Sequence, residues 1–270
     1  MPEGDTVWMS ARQLHEALAG RELTRTDFRV PQLATTSLVG QTVLEVVPRG
    51  KHMLTRLSSG LTLHTHFRMD GTWRVYRPGQ RWKGGPDHQV RLVLANTDAV
   101  AVGYRMPVVE LVRDEATVVG HLGPDVMDDA FDLEEAVRRL GADPDAEIGT
   151  ALLEQRHLAG VGNLYRAEAL FMERVTPWTR VSDVDLSAVV TRCVRLMRAN
   201  RGRWSQSTTG YTRYDESHWV FERAGRPCHR CGSRVLIAEQ GVPPRQRLTY
   251  WCPRCQAGPA PPPMPRRRQV

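Results

Sequence analysis

Four cysteines constrain this chain more than any other feature. In "CHRCGSRVLIAEQGVPPRQRLTYWCPRCQ", Cys228 and Cys231 are separated by two residues, as are Cys252 and Cys255, and twenty residues lie between the pairs. Each C-x2-C turn aims two sulfurs at one point. The β-rich stretches "SRVLIAE" and "QRLTYW" predict a hairpin that brings the two points together. Four thiolates fill a tetrahedral site and leave no open position, so the pattern predicts one structural Zn2+ rather than a catalytic metal. A pair of disulfides is the competing reading, disfavoured in a cytoplasmic chain. His229 lies inside the first turn and is expected to point elsewhere. The fifth cysteine, Cys193, falls on the apolar face of a helical pattern with Leu186, Val189, Val190 and Met197, where it is expected to act as a small buried hydrophobe.

The 270 residues are enough for two domains. No run of eighteen apolar residues occurs, so no membrane span is expected. The first residues include Glu3 and Asp5 and lack the basic and apolar regions of a secretory signal; a cytoplasmic, nucleoid-associated location is the expectation. The formal net charge of +7 favours a polyanionic partner. Lys51 and Lys83 are the only lysines among the basic residues. Arginine's planar fork suits phosphate, although GC-rich codon bias accounts for most of the arginine excess. In such a chain a retained lysine stands out.

Along the chain, "DTVWMSARQLHEALAG" reads as a helix with Asp5 as N-cap, Val7, Ala11, Leu14 and Leu18 on one face, and Gly20 as its stop. From about residue 22 to 120, alternating apolar and polar residues between Gly, Asn and Asp turns predict several short strands, forming a sandwich or barrel capped by that helix. Gly123-Pro124 breaks the pattern, and residues 128–200 turn helical. The stretch "EIGTALLEQRHLAGVGNLYRAEALF" predicts one helix ending at Leu152, Leu153 and Arg156, then a tight turn. A second helix comes next, bearing Leu164, Ala167, Leu170 and Phe171. A Gly-x-Gly turn that opens a helix presents backbone N–H groups at the positive end of its dipole, a ready phosphate site. Asn163 is placed to cap that helix and to reach a phosphate. Alone, this is equally a structural turn; beside a zinc hairpin in a basic chain, DNA backbone binding is favoured. Arg245 and Arg247 are expected on the hairpin's return strand, flanked by Trp251, and a rigid hairpin can press an arginine onto a phosphate. A solvated surface role fits Arg245 as well. His64 and His66 share one strand face; with no carboxylate or third histidine near them in sequence, packing is expected rather than metal binding. The Pro- and Arg-rich end, 257–270, is expected to be disordered.

With "MPEGD", "PRGKHML", "LGPD", "EQRHLAGVGNLYRAEALF", "ERAGRPCHRCG" and "RLTYWCPRCQ" in this order, the chain resembles the formamidopyrimidine-DNA glycosylase and endonuclease VIII family, most closely its endonuclease VIII branch. The resemblance implies an α+β fold. An N-terminal catalytic β-sandwich flanked by helices would occupy residues 1–122, a helix–two-turn–helix domain 128–215 and a zinc β-hairpin 216–256, with DNA in the cleft between domains. It implies a bifunctional DNA glycosylase and AP lyase of base excision repair, acting on oxidised bases, with pyrimidines expected. Damaged DNA would be the partner of a monomer that needs no small-molecule cofactor and no membrane.

The resemblance assigns roles residue by residue. Once Met1 is removed, Pro2 carries a secondary amine; an N-terminal amine titrates near 8, against about 10.4 for lysine, so more of it is free base. By resemblance it attacks C1′ and forms a permanently cationic iminium that acidifies the C2′ proton. Glu3 is the general acid for the opening sugar, once burial favours its neutral form. Lys51 approaches the sugar or its phosphate and assists proton transfer. Arg247 grips the phosphate beside the lesion, and Asn163 binds phosphate. "HFRMDG" occupies the loop that fills the void left by a flipped base, with Met69 as an apolar wedge. Arg68 stands where endonuclease VIII proteins often carry Gln, and His121 where an Arg often precedes "GPD"; both departures bear on reading of the opposite strand. "RWSQSTTGYTRYDESHW", 203–219, is the candidate mobile segment for the flipped base. A purine-directed enzyme is the alternative, weakened because its usual "LGMSG" is here "FRMDG". A non-catalytic damage binder would not need Pro2, Glu3 and Lys51 together.

Overall fold

The computed structural model describes residues 2–213 and 215–261. The described residues up to 121 and those from 122 onward form two compact units. In the first, the chain runs through α1 (Gly4–Leu18), β1 (Arg25–Phe28), β2 (Val43–Arg49), β3 (His52–Leu57), β4 (Thr62–His66), β5 (Thr72–Tyr76), β6 (Val90–Ala95), β7 (Val100–Tyr104), β8 (Val108–Val112) and a one-turn helix α2 (Ala116–Val119). The strands make two four-stranded sheets, in the orders β1-β6-β7-β5 and β2-β3-β4-β8, with every pairing antiparallel. Alternation explains them. Leu63 on β4, Trp73 on β5 and Leu92 and Leu94 on β6 point into one core with Leu14 of α1. Trp73 also donates its indole N–H to Thr65 of the other sheet at 3.4 Å.

Helix α1 packs chiefly on β2. Its buried face is Val7, Ala11, Leu14 and Leu18, the predicted stripe. Its start differs from expectation. The helix begins at Gly4 with Glu3 as N-cap, and Asp5 lies buried within the first turn. Asp5 still favours this end, because a carboxylate in the first turn complements the helix dipole.

The second unit carries α3 (Leu133–Leu140), α4 (Ile148–Ala151), α5 (Asn163–Met172), α6 (Leu186–Ala199) and the hairpin of β9 (Leu236–Gln240) and β10 (Arg247–Trp251). The hairpin is antiparallel, with Arg247 opposite Gln240 and Trp251 opposite Leu236. Helix α4 stops at Ala151, short of the expected Arg156. The chain between α4 and α5 is a turn built around one side chain. Gln155 donates its amide to the Leu153 and Val161 carbonyls, both at 2.9 Å, and accepts from the Gly160 N–H at 3.1 Å. The "LGPD" segment docks beside this turn: Ala159 N–H donates to Pro124 O and Val126 N–H to Ala159 O. Cys193 is fully buried on α6, as its pattern predicts. Among the described residues no helix is long and apolar enough to cross a membrane. Met1 and residues 262–270, which bear on removal of the initiator and on most of the expected tail, lie outside the described residues.

Candidate active site and cysteine cluster

Pro2 is half-buried immediately before α1, and the Glu3 side chain is fully buried. The Glu3 backbone carbonyl accepts the Val7 N–H, so Glu3 begins the helix with its main chain while its carboxylate makes no capping bond. Lys51 occupies the two-residue turn between β2 and β3, in which Arg49 pairs with His52. Gly50 has φ +57. A two-residue hairpin turn with positive φ at its first central position selects glycine there, and this sets Lys51 at the tip.

Arg68, Met69 and His121 are all exposed, Met69 by 60%. The loop that carries Arg68 and Met69 is held from beneath. Phe67 is buried, Gly71 N–H donates to Phe67 O at 2.9 Å, and Arg68 N–H donates to Nδ1 of His66 at 2.9 Å. A Cβ on Gly71 would sit 2.8 Å from the Phe67 backbone, so only glycine closes this loop without a shift.

The histidines are more connected than their sequence positions suggest. Strand register supplies His64 and His66 with the carboxylate and the further histidine that their own stretch did not suggest. His52 pairs with His66 and His64 with Glu110 across the sheet. His64 Nε2 lies 2.8 Å from His52 Nδ1, and His64 Nδ1 lies 2.7 Å from Glu110. The His121 ring meets His52 edge-on at 6.1 Å. Burial, with the neighbouring histidines and Arg68, lowers His52 to about 3. Burial, with Arg68, His64 and Lys51, lowers His66 to about 4. Lys51, Arg68 and His121 therefore lie around the His52 and His66 rings, both held neutral.

In the second unit Asn163 is the first residue of α5; Gly162, not Asn163, is the N-cap. The Asn163 amide donates to the Leu248 carbonyl at 2.8 Å and its oxygen accepts from Arg166. This ties the helix start to β10 beside Arg247. Arg247 itself is exposed at the first position of β10 and bonds Gln246 O at 3.0 Å; Arg245 is exposed as well.

All four expected cysteines come together, every sulfur within 4.8 Å of the others. Cys228 and Cys255 are 3.9 Å apart and Cys231 and Cys252 3.4 Å, too far for disulfides, whose bond is about 2.05 Å. Zn–S bonds of about 2.3 Å place the sulfurs of a tetrahedron about 3.8 Å apart, so the cluster fits a tetrathiolate metal. Hydrogen bonds from Ser233 pull the Cys231 thiol down to about 6, whereas burial pushes Cys255 up to about 12. His229 is exposed, its ring edge-on to Trp219.

Residues 1–106 match the family described as formamidopyrimidine-DNA glycosylase N-terminal domain, and residues 122–200 match the formamidopyrimidine-DNA glycosylase H2TH domain. A Streptomyces coelicolor protein named "Probable endonuclease 8 2" is 54% identical over 268 residues, covering 97% of this chain and 96% of that protein. The chain belongs to the formamidopyrimidine-DNA glycosylase and endonuclease 8 family. The Mycolicibacterium smegmatis "DNA-(apurinic or apyrimidinic site) lyase Nei2" is 42% identical over 260 residues, covering 95% of this chain and 99% of that protein. Among solved structures, Lactococcus lactis Fpg in complex with abasic-site DNA superposes with a TM-score of 0.78 at 21% identity, covering 95% of this chain and all of that one. That likeness establishes the fold.

Two features of this family member escape sequence reasoning. Glu168 on α5 is fully buried and accepts the backbone N–H groups of Trp219, Val220 and Phe221, each at 2.8 Å, together with the Thr208 hydroxyl. It ties down Thr208 and Trp219 of 203–219, the candidate mobile segment; Tyr211 between them stays exposed. A cavity of about 450 Å³, lined by Thr209, Tyr211, Glu216, Trp219 and His229, opens there. Arg166, two residues before Glu168, is also fully buried. The available signal is two charges inside "NLYRAEALF", a helix whose other residues are nearly all apolar.

Proposed function

We propose that this protein is a bifunctional DNA glycosylase and AP lyase of base excision repair that removes oxidised bases, pyrimidines foremost. The observation that carries the reading is the fully buried Glu3 directly beside Pro2 at the start of α1, in a unit whose family match spans residues 1–106. A carboxyl at the edge of a helix that serves no cap would ordinarily stay in water.

In the mature chain the Pro2 nitrogen attacks C1′ and sheds its proton, and the bond from C1′ to the damaged base breaks as the leaving base takes up a proton. The C1′–O4′ bond then opens, Glu3 delivers a proton to O4′, and the nitrogen lone pair completes a cationic iminium. That cation withdraws electrons from C2′. Loss of the C2′ proton, assisted by Lys51, expels the 3′ phosphate. Arg247 and Asn163 hold backbone phosphates, and Arg68, Met69 and His121 face the void in the duplex. The protein works as a monomer on chromosomal DNA in the cytoplasm.

Duplexes carrying thymine glycol, dihydrouracil, 8-oxoguanine or an abasic site, incubated with borohydride, test this. A covalent adduct at Pro2 is expected with the oxidised pyrimidines and the abasic site, and Pro2→Gly should weaken it severely. An adduct that survives Pro2→Gly and disappears in Lys51→Ala would overturn the assignment of the nucleophile.

Cys228, Cys231, Cys252 and Cys255 would hold one zinc ion, which supplies a rigid cross-link and no reacting position. Zinc in such sites contributes about 10–16 kcal/mol of apparent binding free energy. One zinc per chain is therefore expected by atomic absorption. Cys252→Ser should lose the metal, lower the melting temperature and abolish DNA binding. Wild-type protein that contains no zinc and is insensitive to chelators would refute the metal assignment.

A further inference from the structure

The proton positions of the histidine cluster are set by its hydrogen bonds. Glu110 is half exposed on β8, at the edge of its sheet. An ionised carboxylate only accepts, so His64 Nδ1 must carry hydrogen. A neutral His64 has only that one N–H; its Nε2 then accepts, and the hydrogen between the rings belongs to His52 Nδ1. His52 is then left with a lone pair on Nε2. His66 is set independently: its Nδ1 accepts the Arg68 N–H, so its hydrogen sits on Nε2. Several titratable or charged groups lie around His52, which also pairs with Arg49 across the turn. His64 and His66 come from β4, Glu110 from β8, and His121 and Arg68 from the adjoining segments. At neutral pH neither His52 nor His66 gains a proton, since burial and the neighbouring cations oppose it.

We propose that Glu110, His64 and His52 form a positioning relay for strand cleavage: it locks His52 as the neutral Nδ1–H tautomer and so fixes the outgoing end of the turn that carries Lys51. The role rests on the lyase reading above. None of the three need touch the sugar. His52 is the residue after Lys51, and its ring is held by His64 of β4, which Glu110 of β8 holds in turn, so the relay anchors the outgoing side of the turn. A cationic ring here would repel the Lys51 ammonium, whose field already reaches His66. A flipped tautomer would reverse the hydrogen bond that His52 makes with His64 and would replace the lone pair on His52 Nε2 with an N–H.

The polarity of the relay can be reversed from its exposed end. Glu110→Lys places a donor against His64 Nδ1, which moves the His64 hydrogen to Nε2 and forces the His52 hydrogen onto its own Nε2. Glu110→Gln can still accept through its carbonyl and should restore the native order. Nitrogen-15 NMR of histidine-labelled protein reads the tautomers directly, and single-turnover cutting of a preformed abasic site reads the consequence. Expected are Nδ1–H for His52 in the wild type and in Glu110→Gln, and Nε2–H in Glu110→Lys with cutting slowed about tenfold or more. His64→Phe keeps the ring volume and breaks the chain, so it should slow cutting to the same degree if Glu110→Lys fails to fold. An Nε2–H or cationic His52 in the wild type overturns the relay. So does a tautomer flip, or a folded His64→Phe, that leaves cutting unchanged. A wild type that cuts no abasic strand would instead sink the lyase reading, and the tautomers would still judge the relay.

Discussion

Glu3→Gln is expected to lower release of an oxidised base by about 10²–10⁴-fold while leaving cleavage of a preformed abasic site within a few fold of wild type. The two substrates make different demands. An intact nucleoside holds its sugar closed, so a proton must reach O4′ as the C1′–O4′ bond opens, and glutamine has none to give. An abasic sugar is already in equilibrium with its open aldehyde, and Pro2 can condense with it directly. The glutamine side chain nearly matches the volume of the fully buried glutamate, so the start of α1 should be preserved. Paired gel assays on thymine glycol and abasic duplexes check this. Equal loss on both would make Glu3 a structural residue or assign it to the later proton transfers, and no loss on either would remove it from the chemistry.

Arg166→Met should destabilise strongly, at about 1–3 kcal/mol for each buried acceptor left without a donor. The guanidinium is completely enclosed. It donates to Gly149 O at 3.1 Å, to Gln240 Oε1 and Leu248 O at 3.3 Å and to Thr249 Oγ1 at 2.6 Å, besides Asn163. Those acceptors belong to α4, β9, β10 and α5, so one fork satisfies groups from four elements. Methionine fills much of the volume and leaves the acceptors without a donor in a dry interior, which is the expensive outcome. Arg166→Lys should recover little, because a point charge cannot match a planar five-donor fork. Urea unfolding measures the change; a loss below about 1 kcal/mol would mean that water or relaxation replaces the fork.

Legibility in the sequence depends on where the information lies. The cysteines are legible because a metal cluster is specified by local spacing, and the α1 stripe because a helix repeats on itself. Asp5 passes for the cap because a first-turn carboxylate and a capping one look alike in a string. The end of α4 is overestimated because Leu152 and Leu153 continue the apolar pattern, while Gln155 closes the turn through contacts no local rule foresees. Glu110 stands 46 residues from His64 and meets it only through the pairing of β4 with β8. Arg166 and Glu168 are passed over in the sequence, since burial on all sides of α5 is a property of the packed unit. The resemblance singles out Pro2, Glu3 and Lys51, which by spacing alone would be a frayed end and a turn lysine.

The Asn163 amide has a mechanical corollary. One N–H of this side chain holds a carbonyl of β10 while its backbone begins α5. A load applied to either the helix tip or the hairpin must be borne by the other through a single short strut. The two would yield together as one plate, and a pull on the strand beside Arg247 would be felt at the opening turn of α5 before it could bend the hairpin.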